Sequence, residues 1–426
     1  MDQLSPDAER AASKAMRHLL PWLLLMYVLA YLDRANLGFA KNDLQASIGL
    51  GEAAYAFGVG IFYIAYATIE VPSNILMHRF GARRWLSRIM VSWGLVSAAM
   101  VFVHNETSFY VLRFLLGIAE AGFFPGAVYF LSRWFPHQRR AGVLGIFYFG
   151  APLSFVFGGP LSGLLLEAHG IWGLEGWQWM FLVEGLLAAF VGGLVFFKLT
   201  EKPSEARWLE PHEREALTNA IAAEDRQKAV HGSGSILQGL LNRRVIYLAL
   251  IYFLIQGCVN GVVYYLPAHV GELVGQRVGF LVGMVTAIPW ACAMLACYVL
   301  PRWGERLNRR RLVASLTMAG AAAGVVLSSL LGHFPMLALA ALCLAVAGFI
   351  AVQPLFWTLP ASYLHDAAAA SGLALVNTIG ALAGFVAPLY RLWAETQFGA
   401  GAGLVAIGLT TALGAVMIFF AGRVLR

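Results

Sequence analysis

Residues 79–83 read Arg79-Phe80-Gly81-Ala82-Arg83, and residues 302–306 read Arg302-Trp303-Gly304-Glu305-Arg306. The pattern R-[FW]-G-x-R thus occurs twice, each time in a short basic loop between two long apolar stretches. Around the first copy, apolar stretches begin near Leu19, Ala53, Trp85, Ser108, Ala141 and Trp177. Around the second they begin near Arg244, Val278, Leu312, Pro335, Ala368 and Ala402. Both copies follow the second stretch of their set, which points to an internal duplication. The reading is an all-α integral membrane protein with 12 transmembrane helices in two six-helix halves related by a pseudo-two-fold axis. Its segments are a tail over 1–18, a half over 19–199, a linker over 200–243 with an amphipathic helix at the membrane surface, a half over 244–421, and a tail over 422–426.

The bulk numbers agree. Of 426 residues, 59% are hydrophobic and 12% charged, with a mean hydropathy of +0.70. A soluble domain carries about 25% charged residues. About twenty apolar residues cross a bilayer core of about 30 Å, so the chain has room for a dozen crossings. This excludes a soluble enzyme, a secreted disulfide scaffold and a nucleic-acid-binding domain. The net charge of +7 and pI near 9.3 follow from topology rather than from a polyanionic partner. Only Lys41 and Arg277 fall in loops on one side, and Arg34, Arg88, Arg113 and Arg391 fall within spans. Every other Lys and Arg lies in the tails, the linker or the loops of the opposite side, which is therefore expected to be cytoplasmic and to hold both termini. Cys258, Cys292, Cys297 and Cys343 all sit in apolar stretches and are read as packing residues, with no disulfide. The segment MDQLSPDAERAASKAMRH has no apolar core, and the following stretch has full span length and carries charges, so neither is a cleavable signal.

Ionisable groups are costly inside a bilayer, by about 2.5–3.5 kcal/mol on insertion scales, and are functional by default. Span 1 carries Asp33 and Arg34 in YLDRANLGF; span 4 carries Arg113 and Glu120 in LRFLLGIAEAGFFPG. Arg113 and Glu120 are close to two turns apart and would share a face with Gly117 and Phe124. At about 1.5 Å per residue, Asp33 and Arg113 reach similar depths and are expected to pair, while Arg34, about 100° around the helix, faces a cavity. In this reading Asp33 and Glu120 exchange protons and Arg34 binds an anionic group, its fork matching a carboxylate. Arg113 is the charge partner of the two acids. With both acids ionised the cluster is neutral; protonation leaves a positive site for an anion, so proton and anion favour each other's binding.

The second half is almost free of deep charge. Gln256, Asn260, Tyr264, Gln353, Trp357 and Asn377 form a neutral polar and aromatic surface suited to the non-ionic end of a substrate, and Tyr66 in span 2 lies at a similar depth. Glu70 and Asn74 are expected at the gate or as a cap, and Glu184 as a hydrogen-bonding group between helices. Arg391 and Glu395 are expected to snorkel to the surface. Arg79, Gly81, Arg83, Arg302, Gly304 and Arg306 are the candidate gating loops.

The same residues carry a resemblance. YLDRANLGFA, RFLLGIAEAGFFPGAVYFLSRWFP, FWTLPASYL and GLALVNTIGALAGFVAP resemble the anion:cation symporter family of the major facilitator superfamily, and the likeness extends through EKPSEARWL of the linker. The resemblance implies an organic-anion carrier with rocker-switch alternating access, usually proton-driven in bacteria, with acid and arginine of span 1 at Asp33 and Arg34 and arginine and acid of span 4 at Arg113 and Glu120. The chain departs from the superfamily's loop 2–3 signature at Asn74 and His78. In span 5, GGPLSG matches part of the superfamily's antiporter motif, with Phe155 and Leu164 at its outer glycine positions.

The leading expectation is a proton-coupled importer of a small carboxylate such as a sugar acid, hydroxy-dicarboxylate or aromatic acid, acting as a monomer in a bacterial inner membrane. It needs no cofactor beyond the proton as coupling ion, and no metal. An efflux antiporter of the same fold is the alternative. A membrane-embedded enzyme would need a nucleophile, metal set or H-E-x-x-H motif that the sequence lacks, and a sensor derived from a transporter would be expected to lose one of the four charges.

Overall fold

The computed structural model describes residues 4–230, 242–363 and 367–424. Among these every regular element is helical. Twelve helices are long and apolar enough to cross a membrane: spans 1–6 are Pro6–Ile48, Glu52–Phe80, Ala82–Phe102, Glu106–Trp134, His137–Leu166 and Gly176–Lys198. Spans 7–12 are Arg243–Val263, Phe280–Arg306, Arg310–Leu330, Pro335–Leu359, Leu375–Phe398 and Ala402–Val424. The protein is a multi-pass membrane protein built on the expected plan of six crossings, a linker and six crossings.

Span 1 has 43 residues, about 65 Å of helix and twice a bilayer core. Ser5 caps it, accepting the Ala8 N–H, so most of the polar N-terminal segment is a helical extension of the span. That extension and the linker helix Pro211–Val230 pack on each other. Lys14 pairs with the buried Glu213 at 2.7 Å, and His18 stacks on Trp208, which stacks on Trp134 of span 4. Glu224 pairs with Arg140 at 2.9 Å, and Glu9 with Arg139. The apolar Ala206, Leu209 and Leu217 are buried in the protein core. The sequence places this amphipathic stretch at the membrane surface; over residues 201–230 its apolar side chains instead pack on the first six spans, which it braces, and residues 231–241 of the linker lie outside the described residues.

The two R-[FW]-G-x-R loops are built differently. Gly81 has φ +89 and links spans 2 and 3, a conformation that favours glycine. Beside it the Glu201 carboxylate accepts the N–H groups of Ala82 and Arg83, each at 2.8 Å, satisfying the orphan donors that open span 3. Gly304 instead lies within the last turn of span 8, and Asn308, at φ 50, makes the turn. The side chains of Arg79 and Arg83 rest on Phe80 and Phe196, and Arg302 stacks on Tyr298 and donates to its carbonyl; Arg306 is exposed.

Spans 2 and 11, and spans 5 and 8, meet across the two halves. The second contact is made of glycine. Gly159 and Gly163 of span 5 face Gly283 and Gly279, so the backbones touch: a Cβ on Gly159 would sit 2.8 Å from the Gly283 carbonyl, and one on Gly163 would overlap the Gly279 carbonyl. Both sides carry glycines four apart, the spacing that lets membrane helices approach closely. GGPLSG is thus a packing surface, and Phe155 extends it by stacking on Trp290 at 3.7 Å. On the same side of the molecule Arg277 pairs with Asp43 at 2.8 Å and the Phe280 N–H donates to Glu167. These inter-half contacts gather on the face opposite the R-[FW]-G-x-R loops.

Overpacking a helix contact costs about 1–3 kcal/mol. Gly159→Val should therefore lower the melting temperature of the purified protein clearly, whereas Gly193→Val, at a glycine with open space around its Cβ position, should leave it nearly unchanged. Equal melting curves for the two variants would refute the glycine contact.

Candidate functional site

Span 4 is broken where the deep charges sit. Its first helical segment ends at Glu120, Gly122 has φ +87, and a second segment runs Phe123–Trp134. Pro125 explains the break, because it lacks the N–H that would bond the Ala121 carbonyl four residues back. An unpaired carbonyl in a bilayer is costly, and Ser73 of span 2 supplies the missing donor, its hydroxyl lying 2.7 Å from the Ala121 oxygen. Trp85 in turn donates to Ser73 at 3.0 Å. Glu120 therefore projects from the last turn before a fixed kink, and Phe124, beyond it, does not continue the Arg113–Gly117–Glu120 face.

The ion pair at the centre joins Arg34 to Glu120. Arg34 Nη2 and Nε approach the same oxygen, Glu120 Oε1, at 2.5 and 2.8 Å. Glu120 Oε2 is buried with no hydrogen-bond partner among the described residues. Tyr31, Phe62 and Tyr66 surround the guanidinium with ring centroids 5.3–5.6 Å away. The Arg34 side chain keeps 20% of its surface accessible, against 1% for Glu120. The pair is thus asymmetric, with solvent reaching the arginine and not the acid.

Asp33 and Arg113 do not pair, contrary to the expectation from depth. The Ser97 hydroxyl of span 3 donates to Asp33 Oδ1, and Oδ2 has no hydrogen-bond partner among the described residues. Arg113 donates from Nε to the Gly58 carbonyl of span 2 at 3.1 Å and lies over the Phe62 ring at 4.8 Å. The cause is azimuth: span 2 packs closely on span 4, with Gly117 against the Phe62 carbonyl, and captures the face on which Arg113 lies. Nor is Arg34 free, since Glu120 holds it. Arg113 is accordingly a buried cation resting on carbonyl and ring, near the acids but bonded to neither.

Behind span 1 a further buried acid, Glu184, completes the polar interior. Ser162 donates to Glu184 at 3.0 Å and lies 3.4 Å from Asn36, so Glu184 joins spans 5 and 6 as the hydrogen-bonding group the sequence reading expected.

The C-terminal residues divide into two groups. Asn260 and Tyr264 are buried and engaged by Tyr63 of span 2: the Tyr63 hydroxyl donates to Asn260 Oδ1 at 2.5 Å and lies 2.7 Å from the Tyr264 hydroxyl. Tyr55 adds a hydroxyl 3.0 Å from the Tyr264 carbonyl. Sequence reasoning missed both tyrosines, whose only signal is their eight-residue spacing on one face of span 2. Gln256, Trp357 and Asn377 stay partly accessible. Gln256 Oε1 has no hydrogen-bond partner among the described residues, Trp357 packs on Tyr252 at 4.9 Å, and Asn377 donates to Glu70 Oε1 of span 2 at 3.1 Å. Arg391 does not snorkel; it is buried, donates to the Gly261 carbonyl and to Glu395, both at 3.0 Å, and covers the Tyr265 ring.

The Major Facilitator Superfamily family model matches residues 23–388. The chain belongs to that superfamily. Among its relatives within the major facilitator superfamily, the chain is 46% identical to the inner membrane transport protein RhmT of Escherichia coli (strain K12), over 94% of this chain and 92% of that protein. It is 40% identical to a putative tartrate transporter of Agrobacterium vitis, over 92% and 87%, and 36% identical to a quinolone resistance transporter of Acinetobacter baumannii, over 94% and 92%. The fold matches the partially occluded inward-open xylose transporter XylE from E. coli, with a TM-score of 0.74 at 16% identity, over 96% of this chain and 99% of that one. Membership of the major facilitator superfamily makes the protein a transporter rather than an enzyme, and these relatives bear out the family resemblance read in spans 1, 4 and 11.

Breaking a buried ion pair from one side leaves an uncompensated charge and costs about 3–5 kcal/mol. Arg34→Ala should therefore destabilise the protein strongly, and Arg34→Ala/Glu120→Gln should recover most of the loss. Melting curves in one detergent test this; a double variant no more stable than Arg34→Ala would show that the two side chains are not coupled.

Proposed function

We propose that the protein is a proton-coupled symporter that imports a small organic carboxylate across a bacterial inner membrane, with both termini in the cytoplasm. The observation that carries the reading is the accessible Arg34 bound to the sealed Glu120. While Glu120 is ionised, it satisfies the arginine and competes with any anionic substrate. A proton added at Oε2 removes that competition, and the guanidinium turns its fork to the substrate carboxylate. Binding of proton and anion is then mutually reinforcing. Asp33, held by a single serine hydroxyl, is the second proton site, and Arg113 biases both acids through space.

Gln256, Trp357, Asn377 and Tyr66 hold the substrate's uncharged end, the unpartnered Gln256 Oε1 accepting a substrate hydroxyl. Asn260 and Tyr264 meet the substrate once Tyr63 releases them in the opposite state. Alternation moves the inter-half contact from the glycine face to the R-[FW]-G-x-R loops. The relative named as a tartrate transporter supports a hydroxy acid; the one named for quinolone resistance supports the export alternative.

The test uses the purified protein in sealed liposomes with an imposed inward proton gradient and radiolabelled sugar acids, dicarboxylates and aromatic acids. One acid should accumulate only with the gradient. Glu120→Gln should abolish accumulation while leaving downhill exchange, and Arg34→Ala should weaken binding about tenfold to a hundredfold, the worth of a charge-assisted hydrogen bond. Undiminished accumulation in Glu120→Gln would move the proton site to Asp33. Outward movement of other compounds with no acid uptake would overturn the importer.

A further inference from the structure

On the face that carries the R-[FW]-G-x-R loops, the start of span 9 and the end of span 12 enclose a cavity of about 770 Å³. Arg309, Arg310, Arg311 and Arg423 line it above a floor that includes Leu312, Leu359 and Phe420. Arg310 has Glu305 at 3.3 Å as an exposed partner, while Arg309, Arg311 and Arg423 have no acidic partner among the described residues. Arg311 is held there by the fold. The Arg311 guanidinium occupies the space that a Cβ on Gly422 would need, so this glycine is what lets it lie across span 12. Span 9 also opens at Arg310 without a side-chain cap, so the positive end of its helix dipole lies beside the cavity.

A second cavity of about 770 Å³ continues from the first through Phe419 and Phe420. It is a groove between spans 9 and 12, walled by small residues such as Ala319, Ala323, Gly408 and Ala412. From Ser315 to Leu327 it runs about 18 Å along the helix, comparable to one leaflet's share of a hydrocarbon core about 30 Å thick. A cationic bowl at the level of the membrane surface, opening into an apolar groove one leaflet deep, has the layout of a phospholipid.

We propose that this site binds an anionic phospholipid, its phosphodiester among Arg309, Arg311 and Arg423 and one acyl chain in the groove between spans 9 and 12. A free phosphate would satisfy the arginines but leave the groove without purpose, and a zwitterionic lipid would bring its own cation into the bowl. Basic pockets between membrane helices recognise anionic headgroups in this way. The site lies on spans 9, 10 and 12, apart from Arg34 and Glu120.

Native mass spectrometry of the full-length protein tests the proposal, titrating phosphatidylglycerol, phosphatidylcholine and, as a soluble phosphate, glycerol phosphate. The wild type should retain phosphatidylglycerol in preference to phosphatidylcholine, and glycerol phosphate should not displace it. Arg311→Gln/Arg423→Gln should reduce that retention roughly tenfold or more. Ala319→Phe, which fills the groove from an exposed position and changes no charge, should reduce it as well; Arg302→Gln, whose arginine lies on Tyr298 outside the bowl, should not. Wild-type retention in the double variant, or equal retention of the two lipids by the wild type, would overturn the site. Displacement by glycerol phosphate together with an unaffected Ala319→Phe would reduce it to a simple anion site and overturn the lipid. If the double variant does not fold, the wild-type lipid preference and Ala319→Phe decide the question.

Discussion

A guanidinium and a carboxylate enclosed by twelve apolar helices must each find a partner, and the Arg34–Glu120 pair sets much of the architecture around it. Glu120 reaches span 1 from the last turn before a break in span 4. That break requires Pro125 to withhold an N–H, and the carbonyl so orphaned requires Ser73 of span 2. Gly122 must also lack a Cβ, which would lie 2.5 Å from the Ser73 hydroxyl. One ion pair thus depends on a proline, a glycine and a serine from two helices, none of which carries charge. A buried pair of this kind seldom stabilises better than apolar packing. Its retention, with the arginine accessible and the acid sealed, fits a role in exchange rather than in cohesion.

The sequence made the fold legible because span length, polar interruptions and the repeated loop are one-dimensional signals. It also exposed the four deep charges, since any ionisable residue inside an apolar window stands out. What it left hidden was azimuth. Rise per residue placed Asp33 and Arg113 at a common depth, but packing of span 2 on span 4 turned Arg113 toward Gly58 and left Asp33 to Ser97. Tyr63 was hidden for another reason: a tyrosine in an apolar helix is ordinary until Asn260 and Tyr264 are seen across from it. The glycines of GGPLSG were visible, yet their meaning depended on Gly279 and Gly283 more than a hundred residues away. Gly81 and Gly304 show the limit of the repeat itself, for one makes a turn and the other sits in a helix.

The two halves divide the physics between them. The first six spans hold the charged cluster and are stiffened from outside by the linker, whose ion pairs and Trp208 stack, among the described residues, attach to spans of that half or their extensions. The second six contribute amides, hydroxyls and rings. Between the halves the contacts are of a reversible kind, among them glycine backbones in van der Waals contact, tyrosine hydroxyls on neutral acceptors, the Asn377 amide and the Phe280 N–H on the carboxylates of Glu70 and Glu167, and Asp43 with the largely exposed Arg277. An exposed pair of that sort is worth about 0–1 kcal/mol. No buried ion pair joins the halves among the described residues. The strongest electrostatics therefore stays within one rigid unit, and the surface that has to open is held by interactions that can be exchanged for water or for an equivalent set on the other face.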